Sequence, residues 1–249
     1  MVDKNMRNNL KQLSSKAVAA IDETKRGVDA VERALTLLDV FIGGETGLSL
    51  KDLASRSDLD KATILRLSIS LERFGYLMRD EDGGYHLGPT LWRLGSEFRK
   101  SLRLGPYIRP VLTNLVAETG ESASFYVQRG NSGVCLYRVN SPRIARDHIE
   151  EGEIIPLGTG SSGQVLDAYS MCNGKHVAQI KRDGFYFSQG ERDPDIAGIS
   201  VPVFGPDTAM IGTVSLSGLL SRFDEAIVPN LIEAVMQSAK DIQTRLRAE

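Results

Sequence analysis

Apolar residues recur every three or four positions in the first third of the chain, the spacing of amphipathic helices. One helix is predicted over residues 27–42, with an apolar stripe made of Val28, Val31, Ala34, Leu35, Leu38 and Phe41. Two more are predicted, from Leu50 to Ser57 and from Asp60 to Phe74, with Ser49 and Asp60 as their N-caps. The last of these is expected to bury Ile64, Leu67, Leu71 and Phe74. Two helices joined by a short turn indicate a helix-turn-helix, a motif that enters the major groove of DNA.

The outer face of the third predicted helix carries the side chains expected to contact DNA. Thr63 and Arg66 are predicted to reach base edges, because an arginine can donate two hydrogen bonds to a guanine. The other predicted DNA-contacting residues are Lys61, Ala62, Ser70 and Arg73. Of these, Lys61, Ser70 and Arg73 would hold phosphates. The whole chain has a formal net charge of -2. Any contact with DNA must therefore be local.

A hairpin is predicted directly after the third helix. Two short strand-like runs, Tyr76–Arg79 and Tyr85–Leu87, surround a glycine turn. Together with the helices they predict a winged helix-turn-helix over residues 25–88. The turn contains three acidic residues, 80–82, which phosphates would repel. The wing is therefore expected to make no base contacts.

The remaining residues are predicted to form a tail, a linker and a second domain. Residues 1–24 are polar and are expected to form a flexible N-terminal tail. Residues 89–106 predict a basic helix that links the domains and pairs with a second copy, and a solvated surface helix is the alternative. Residues 107–249 mix short strand-like runs with helices at their ends, which indicates an α+β sensor domain. Strands are predicted at Ser124–Gln128, Gly133–Val139, Ile144–Glu150, Gly198–Phe204 and Ile211–Ser217. Helices are predicted at 108–116, Gly163–Ser170 and Asp224–Leu246. The stretch Lys181–Asp195 is predicted to be irregular and is rich in charged residues.

A glycine-rich segment, Gly158–Gly163, has the formal spacing G-x-G-x-x-G of a dinucleotide-binding loop. The run before it, Ile154–Leu157, is short, contains a proline and does not open a βαβ unit, which argues against a nucleotide. Glycines and small hydroxyls before a helix also expose backbone N–H groups to an anion. A small carboxylate is the favoured ligand, and a plain tight turn is the alternative.

The sequence predicts neither a catalytic nor a metal-binding arrangement. Ser161 and Ser162 lack the flanking glycines of a nucleophile elbow. Cys172 and His176 would supply only two metal ligands across Asn173–Gly174. The two cysteines lie far apart in the sequence, which fits a reducing compartment. With no signal-peptide pattern and no run of about 18 apolar residues, we expect a cytoplasmic protein without cofactor, metal or membrane partner.

The order of these parts resembles the isocitrate lyase regulator (IclR) family of bacterial transcription factors. The resemblance covers about Gly27 to Leu246 and rests on LSLKDLASRSDLDKATILRLSISLERFGY, GGYHLGPTLWRLG, IIPLGTGSSGQVL, GISVPVF and GTVSLSG. It implies a winged helix-turn-helix, a linker helix that mediates dimerisation, and a C-terminal GAF-like α/β effector-binding domain. It also implies a homodimer or dimer of dimers on palindromic double-stranded DNA, and a small, possibly aromatic, carboxylate effector.

The resemblance further implies which residues form the effector pocket. Glycines and serines would hold the ligand and two isoleucines would form apolar walls: Ile144, Ile155, Gly160, Ser161, Ser162, Ser188, Gly198, Ser215 and Ser217. This chain departs from the family pattern at Ser188 and Gly190, where acidic residues are common, and at Gly198, where cysteine is frequent. Ser68 stands where the family usually has a leucine. These departures bear on which effector binds and leave the fold unchanged.

The sequence thus favours a ligand-responsive transcriptional regulator that recognises a palindromic operator through the helix at Asp60–Phe74. One alternative is a small-molecule enzyme fused to a DNA-binding module, although no positioned nucleophile and base can be named. Another is an interaction protein with a repurposed helix-turn-helix, which would show no salt-dependent affinity for duplex DNA.

Overall fold

The protein is described here by a computed structural model that covers residues 27–42, 47–101, 104–172 and 174–247. The chain divides after residue 103 into two compact units. The predicted tail at residues 1–24 lies outside the described residues. No helix in the described ranges is long and apolar enough to cross a membrane.

The first unit is a helical bundle with a small antiparallel hairpin. Its described elements are α1 (Asp29–Asp39), α2 (Leu50–Ser57), α3 (Lys61–Arg73), β1 (Leu77–Arg79), β2 (Tyr85–Leu87) and α4 (Pro89–Ser101). The predicted α2 and α3 are confirmed almost to the residue, and so is the hairpin. Leu48 extends the hairpin by exchanging two backbone hydrogen bonds with Tyr85. This is the arrangement of a winged helix-turn-helix.

The two helices of the motif begin and end where local hydrogen bonds dictate. Ser49 and Asp52 form a capping box at the start of α2, each accepting from the backbone N–H of the other. Asp58 adopts the left-handed conformation at φ 56° and ends α2. Asp60 then caps α3 by accepting from the Thr63 N–H at 2.9 Å. Hydrogen bonds from the Thr63 hydroxyl and N–H hold the pKa of Asp60 below its usual value.

The core of the first unit lies between α1, α2, α3 and the hairpin, and it contains Leu37, Phe41, Leu48, Leu53, Ile64, Leu77 and Tyr85. The predicted stripe on α1 is partly wrong, since Val28, Val31 and Leu35 are all more than half exposed. The C-terminal part of the stripe does pack, since Phe41 lies in the core and Leu38 packs against it, together with Leu37. Phe74, also predicted to be buried, is 68% exposed because the backbone leaves the helix there.

The second unit is built around one antiparallel sheet. Its described elements are α5 (Gly105–Thr119), β3 (Ser122–Arg129), β4 (Ser132–Val139), β5 (Ile154–Pro156), α6 (Gly160–Tyr169), α7 (Val177–Asp183), β6 (Tyr186–Gln189), β7 (Ile196–Phe204), β8 (Met210–Leu219), a 3-10 turn (Leu220–Arg222) and α8 (Val228–Arg247). The strand order is β5-β4-β3-β8-β7-β6. Consecutive residues of β3 and β7 are buried, so both faces of the sheet are covered. α5 packs against α8, and α6 packs against α7 and the sheet.

The loop between β4 and β5 corrects one prediction. The stretch Ile144–Glu150 was expected to be a strand, but it forms no ladder. Arginine side chains satisfy its backbone instead. Arg138 donates to the Asp147 carbonyl at 2.7 Å, and Arg222 donates to the Ala145 carbonyl at 3.3 Å. An alternating sequence could not show this, because the donors lie on other elements.

Two other boundaries of the second unit differ from the prediction. The stretch Lys181–Asp195 is not irregular throughout, since it holds the end of α7 and the edge strand β6. α6 begins at Gly160, three residues before the predicted start. The glycine-rich segment therefore leads directly into the first turn of a buried helix, which places its backbone N–H groups inside the fold.

Candidate functional site

The exposed face of α3 is the candidate DNA-binding surface. Its exposed residues are Lys61, Ala62, Leu65, Arg66, Ile69, Ser70 and Arg73. Apart from Thr63, all the predicted DNA-contacting residues lie on this face. Leu65 and Ile69 add apolar side chains that could contact thymine methyl groups. The helical spacing placed Ile69 on this outer face but did not place Leu65 there, because an apolar residue on a helix normally indicates burial.

Thr63 is not on the outer face, and that expectation is wrong. Its side chain is only 7% exposed. The hydroxyl donates to Asp60 Oδ2 at 2.7 Å, while the N–H donates to Oδ1 of the same carboxylate. Thr63 therefore stabilises the start of α3, which leaves Arg66 as the central polar side chain of the face.

The wing keeps its acidic character. Asp80 Oδ2 lies 2.7 Å from His86 Nε2, and this hydrogen bond, with one from the Gly84 N–H, lowers the pKa of Asp80. Glu81 and Asp82 are exposed at the tip. Two exposed carboxylates at the tip disfavour close approach to phosphates.

The second unit contains a polar cavity at the N-terminal end of α6, here called the α6 cavity. Its solvent-accessible volume is about 30 Å³. Eight predicted effector-binding residues line it: Ile155, Gly160, Ser161, Ser162, Ser188, Gly198, Ser215 and Ser217. Ile144 does not. Its side chain is 99% exposed on the β4–β5 loop, so its assignment as an apolar wall is wrong, and Ile149 from the same loop lines the cavity instead.

A cluster of buried serines forms the floor of the α6 cavity. Ser200 is fully buried, and its hydroxyl lies 2.8 Å from those of Ser161 and Ser215 and 3.1 Å from that of Ser162. Gly198 leaves room beside them, since an added Cβ would lie 2.7 Å from Ser161 Oγ and would displace that hydroxyl. Ser200 was not predicted, because its place in the cluster depends on the pairing of β7 with β8.

The start of α6 supplies backbone donors to the same cavity. Thr159 precedes the helix in an extended conformation, and its side chain makes no capping hydrogen bond. The first N–H groups of a helix have no partner within the helix and carry partial positive charge. Because Gly160, Ser161 and Ser162 all line the cavity, the site suits an anion such as a carboxylate.

Two charged residues missed by the sequence analysis complete the cavity wall. Arg192 donates to Asp147 Oδ1 at 2.8 Å, and both line the cavity. Burial disfavours the charged form of Arg192, but its acidic neighbours, Asp147 first among them, together outweigh burial and raise the pKa of the guanidinium. The two residues lie 45 positions apart, one in a stretch predicted to be a strand and the other in a stretch predicted to be irregular. No sequence signal pointed to their pairing.

A larger cavity, of about 180 Å³, lies near the other end of α6 and is lined by Gln128, Arg129, Leu166, Tyr169, Met210, Ile211 and Gly212. We assign the candidate ligand site to the smaller cavity, because buried hydroxyls, a helix N-terminus and an ion pair converge there.

Reactive groups near the α6 cavity are poorly suited to catalysis. Burial raises the pKa of the Cys135 thiol to about 12 and also raises the pKa of Tyr126. Neither group is ionised near neutral pH, so neither is a ready nucleophile or base. Within the described ranges, no group of three His, Cys, Asp or Glu side chains could hold a metal ion.

Comparison with known proteins agrees with this architecture. Residues 30–81 match the IclR helix-turn-helix domain, and residues 174–244 match the family described as bacterial transcriptional regulator IclR C-terminal. The HTH-type transcriptional regulator BhcR of Paracoccus denitrificans is 25% identical and is aligned over 88% of each chain. The glycerol operon regulatory protein of Streptomyces coelicolor is 27% identical, over 90% of this chain and 98% of its own.

Solved structures show the same fold. An IclR family transcriptional regulator from Brucella abortus has a TM-score of 0.70 at 20% identity and covers 95% of this chain and 98% of its own. An IclR homologue from Microbacterium hydrocarbonoxydans, complexed with 4-hydroxybenzoate, has a TM-score of 0.76 at 22% identity, with 89% and 100% coverage. The predicted α+β fold is confirmed, and the curated relatives are named as regulators rather than enzymes. With both domains matched in order, this chain belongs to the IclR family of DNA-binding bacterial transcriptional regulators.

Proposed function

We propose that this regulator changes its affinity for an operator when a small organic acid binds in the α6 cavity. The observation that carries the proposal is the convergence of the α6 N-terminus, the serine cluster and Arg192 on one buried cavity. Each of these groups donates hydrogen bonds, and a carboxylate accepts them. The complex of a homologue with 4-hydroxybenzoate supports an acid as the ligand class.

The size of the α6 cavity favours a compact acid. The volume open to the centre of a water-sized probe is about 30 Å³. A two- to four-carbon acid is therefore expected to need less rearrangement of the cavity walls than an aromatic effector, one of the options left by the sequence.

The DNA-reading part of the proposal rests on α3. Arg66 is exposed near the middle of this face, where it can reach a base edge, while Lys61 and Arg73 at the two ends suit phosphates. We further propose a palindromic operator bound in the bacterial cytoplasm by a homodimer or a dimer of dimers, with half-sites about 34–36 Å apart. The exposed Leu94 and Phe98, four residues apart on α4, support pairing of the linker helices.

The test combines DNA binding with ligand binding on the full chain. An operator is first selected from fragments of the source genome, and its affinity is measured by fluorescence anisotropy at two salt concentrations, with and without each acid. We expect a selective affinity that weakens steeply with salt. An acid at about 100 times its Kd should stabilise the protein by about 2.7 kcal/mol, and the same acid should shift the operator Kd.

Three results would contradict the proposal. Equal affinity for operator and random DNA would show that the protein does not recognise the operator sequence. An acid that raises the melting temperature without changing operator affinity would make the cavity a structural site. Chemical conversion of the acid by the purified protein would favour the enzyme alternative.

A further inference from the structure

We infer that the effector is a compact hydroxy acid and that Asp147 recognises its hydroxyl group. This inference rests on the proposed role of the α6 cavity as the effector site, and it names the chemical class of the ligand. Its basis is the charged wall of the cavity, formed by Asp147 and Arg192, which the resemblance to the family did not imply.

Asp147 is a buried acceptor with half of its capacity unused. The residue is 4% exposed and lines the cavity. Arg192 occupies Oδ1, whereas Oδ2 has no hydrogen-bond partner among the described residues. Buried carboxylate oxygens are normally satisfied, because leaving one unpaired costs the desolvation of a charged group. A ligand that donates a hydrogen bond to Oδ2 would remove this cost.

Arg138 lies beside Oδ2 without a hydrogen bond to it. Arg138 Nη2 lies 4.0 Å from Asp147 Oδ2, beyond hydrogen-bond distance. The same nitrogen donates to the Asp147 main-chain carbonyl at 2.7 Å, and Nη1 donates to Ser124 Oγ at 2.9 Å, so these bonds hold the guanidinium away from Oδ2. Oδ2 itself is buried, and a ligand in the cavity would reach it after a small movement of the Asp147 side chain.

The charge around Asp147 favours a neutral donor over a cationic one. Arg138 and Arg192 both lie beside its carboxylate. The other acid that interacts with this group is Glu153, and burial raises the pKa of Glu153. The group as a whole is therefore not net negative and gives an added ammonium no advantage. A hydroxyl donates the required hydrogen bond without adding charge.

The carboxylate of the same ligand has a separate place to bind. The α6 N-terminus and the serine cluster provide donors on one side of the cavity, and Gly160 lies close to Arg192, with an added Cβ 3.5 Å from Arg192 Cβ. The carboxylate donors and the Asp147 acceptor thus belong to neighbouring walls of a cavity of about 30 Å³. A 2-hydroxy acid places its two functional groups on adjacent carbons, which suits donors and an acceptor that line the same small cavity.

A matched ligand series tests the inference on the wild-type full-length protein. Lactate (each enantiomer), pyruvate, propionate and alanine share three carbons and differ only at C2, which carries a hydroxyl, a carbonyl, hydrogens or an ammonium. The four-carbon counterparts form a second series. In calorimetric titrations we expect one hydroxy acid to bind at least about tenfold tighter than the other members of its series, the factor that one hydrogen bond of this kind supplies.

The variant Asp147→Asn then tests which residue reads the hydroxyl. The amide oxygen can still accept from Arg192, but the amide nitrogen replaces Oδ2 and donates. We expect the affinity for the hydroxy acid to fall about tenfold, while the affinity for the keto acid stays the same or rises. Glu118→Gln is the matched control, because it makes the same change in charge at an exposed position on α5. That variant should bind the acids in the same order of affinity as the wild type. Circular dichroism should show that both variants are folded.

The outcomes separate this inference from the proposed function. If the keto or unsubstituted acid binds as tightly as the hydroxy acid, recognition of a hydroxyl is refuted, while the proposed sensing of a small acid is not. Tightest binding of alanine would also overturn it, because the site would then recognise an ammonium. If a folded Asp147→Asn variant keeps the wild-type order, Asp147 does not read the hydroxyl. Absence of binding by both series would overturn the compact-acid effector itself. The wild-type series decides the ligand class even if the variant fails to fold.

Discussion

The recognition helix and the α6 cavity are two functional surfaces built in opposite ways. The exposed face of α3 comes from thirteen consecutive residues, and its cap comes from Asp60 directly before them. The α6 cavity draws Tyr126, Asp147, Ser161, Arg192 and Ser215 from separate segments of the second unit. One surface is a property of a single helix, whereas the other exists only once the sheet has formed.

This difference has an energetic consequence. Side chains on the face of α3 have water on one side, so replacing them changes DNA binding with little effect on stability. The hydroxyls and ions of the cavity are buried against each other and against the sheet. Changes there are therefore expected to alter stability and ligand binding together. Four substitutions test this contrast, in order of decreasing expected effect.

Glu121→Ala is expected to have the largest effect. The Glu121 carboxylate is buried, accepts from Arg222 at 2.5 and 2.6 Å, and also pairs with Arg143. Removing it leaves two guanidiniums without their partner. Because both guanidiniums reach solvent, the expected cost is that of charged hydrogen bonds, about 1.5–3 kcal/mol, rather than that of a fully buried charge. Urea unfolding followed by circular dichroism should show this loss in the second unit. The unfolding free energy of the exposed control Glu118→Ala should stay within about 0.5 kcal/mol of wild type. An equally small change for Glu121→Ala would show that the ion pairs of Glu121 contribute little to stability.

Arg66→Ala should separate binding from stability in the first unit. A guanidinium that contacts a guanine contributes roughly 1–3 kcal/mol to discrimination, so operator affinity should fall about 5- to 150-fold. The affinity for random DNA and the unfolding free energy should change much less. Arg33→Ala is the control, because it removes the same charge from α1, where Arg33 pairs with Asp29 at 3.0 Å. Equal losses on operator and random DNA would show that Arg66 holds phosphate.

Ser200→Ala should weaken both stability and ligand binding. Ser200 is the centre of the buried hydroxyl cluster, so its removal leaves Ser161 and Ser215 short of a partner. The expected cost is about 1–2 kcal/mol, measured by urea unfolding, with weaker acid binding in calorimetry. Ser70→Ala on the exposed face of α3 is the matched change and should be nearly neutral. The contrast between the two surfaces would fail if both serines gave the same result.

Ser68→Ala is expected to have the smallest effect, and of the opposite sign. Ser68 is 2% exposed within the helix-turn-helix, and its hydroxyl has no hydrogen-bond partner among the described residues. Alanine removes this unpaired group and is also the better helix former. Stability should rise by up to about 1 kcal/mol, measured as a higher melting temperature. A loss of stability would mean that the hydroxyl has a partner in solution.

The accuracy of the sequence predictions follows the same division. The bounds of α2 and α3 were predicted closely, because Ser49, Asp52 and Asp60 make their capping bonds within three residues. The predictions were wrong where the burial of a side chain depends on a neighbouring helix or strand. Thr63 was placed outside and Phe74 inside, and both were wrong, since helical spacing gives the faces of a helix but not which of them meets another element.

The effector site shows the limit most clearly. The resemblance to the family identified the serines and glycines of the cavity by motif, and the cavity brings them together. It also assigned Ile144, which points into solvent from a loop held by arginines. It gave no hint of Asp147, Arg192 or Ser200, whose positions depend on loop geometry and strand pairing rather than on local pattern.

The sequence by itself determined the helix-turn-helix, its wing and the family, because capping, turns and amphipathic spacing act over a few residues. The tertiary structure alone decided that Arg192 meets Asp147 and that Oδ2 of this buried carboxylate has no partner among the described residues. The physical reason is that a buried charge interacts with the groups within a few ångströms of it, and a separation of 45 positions along the chain carries no information about that distance.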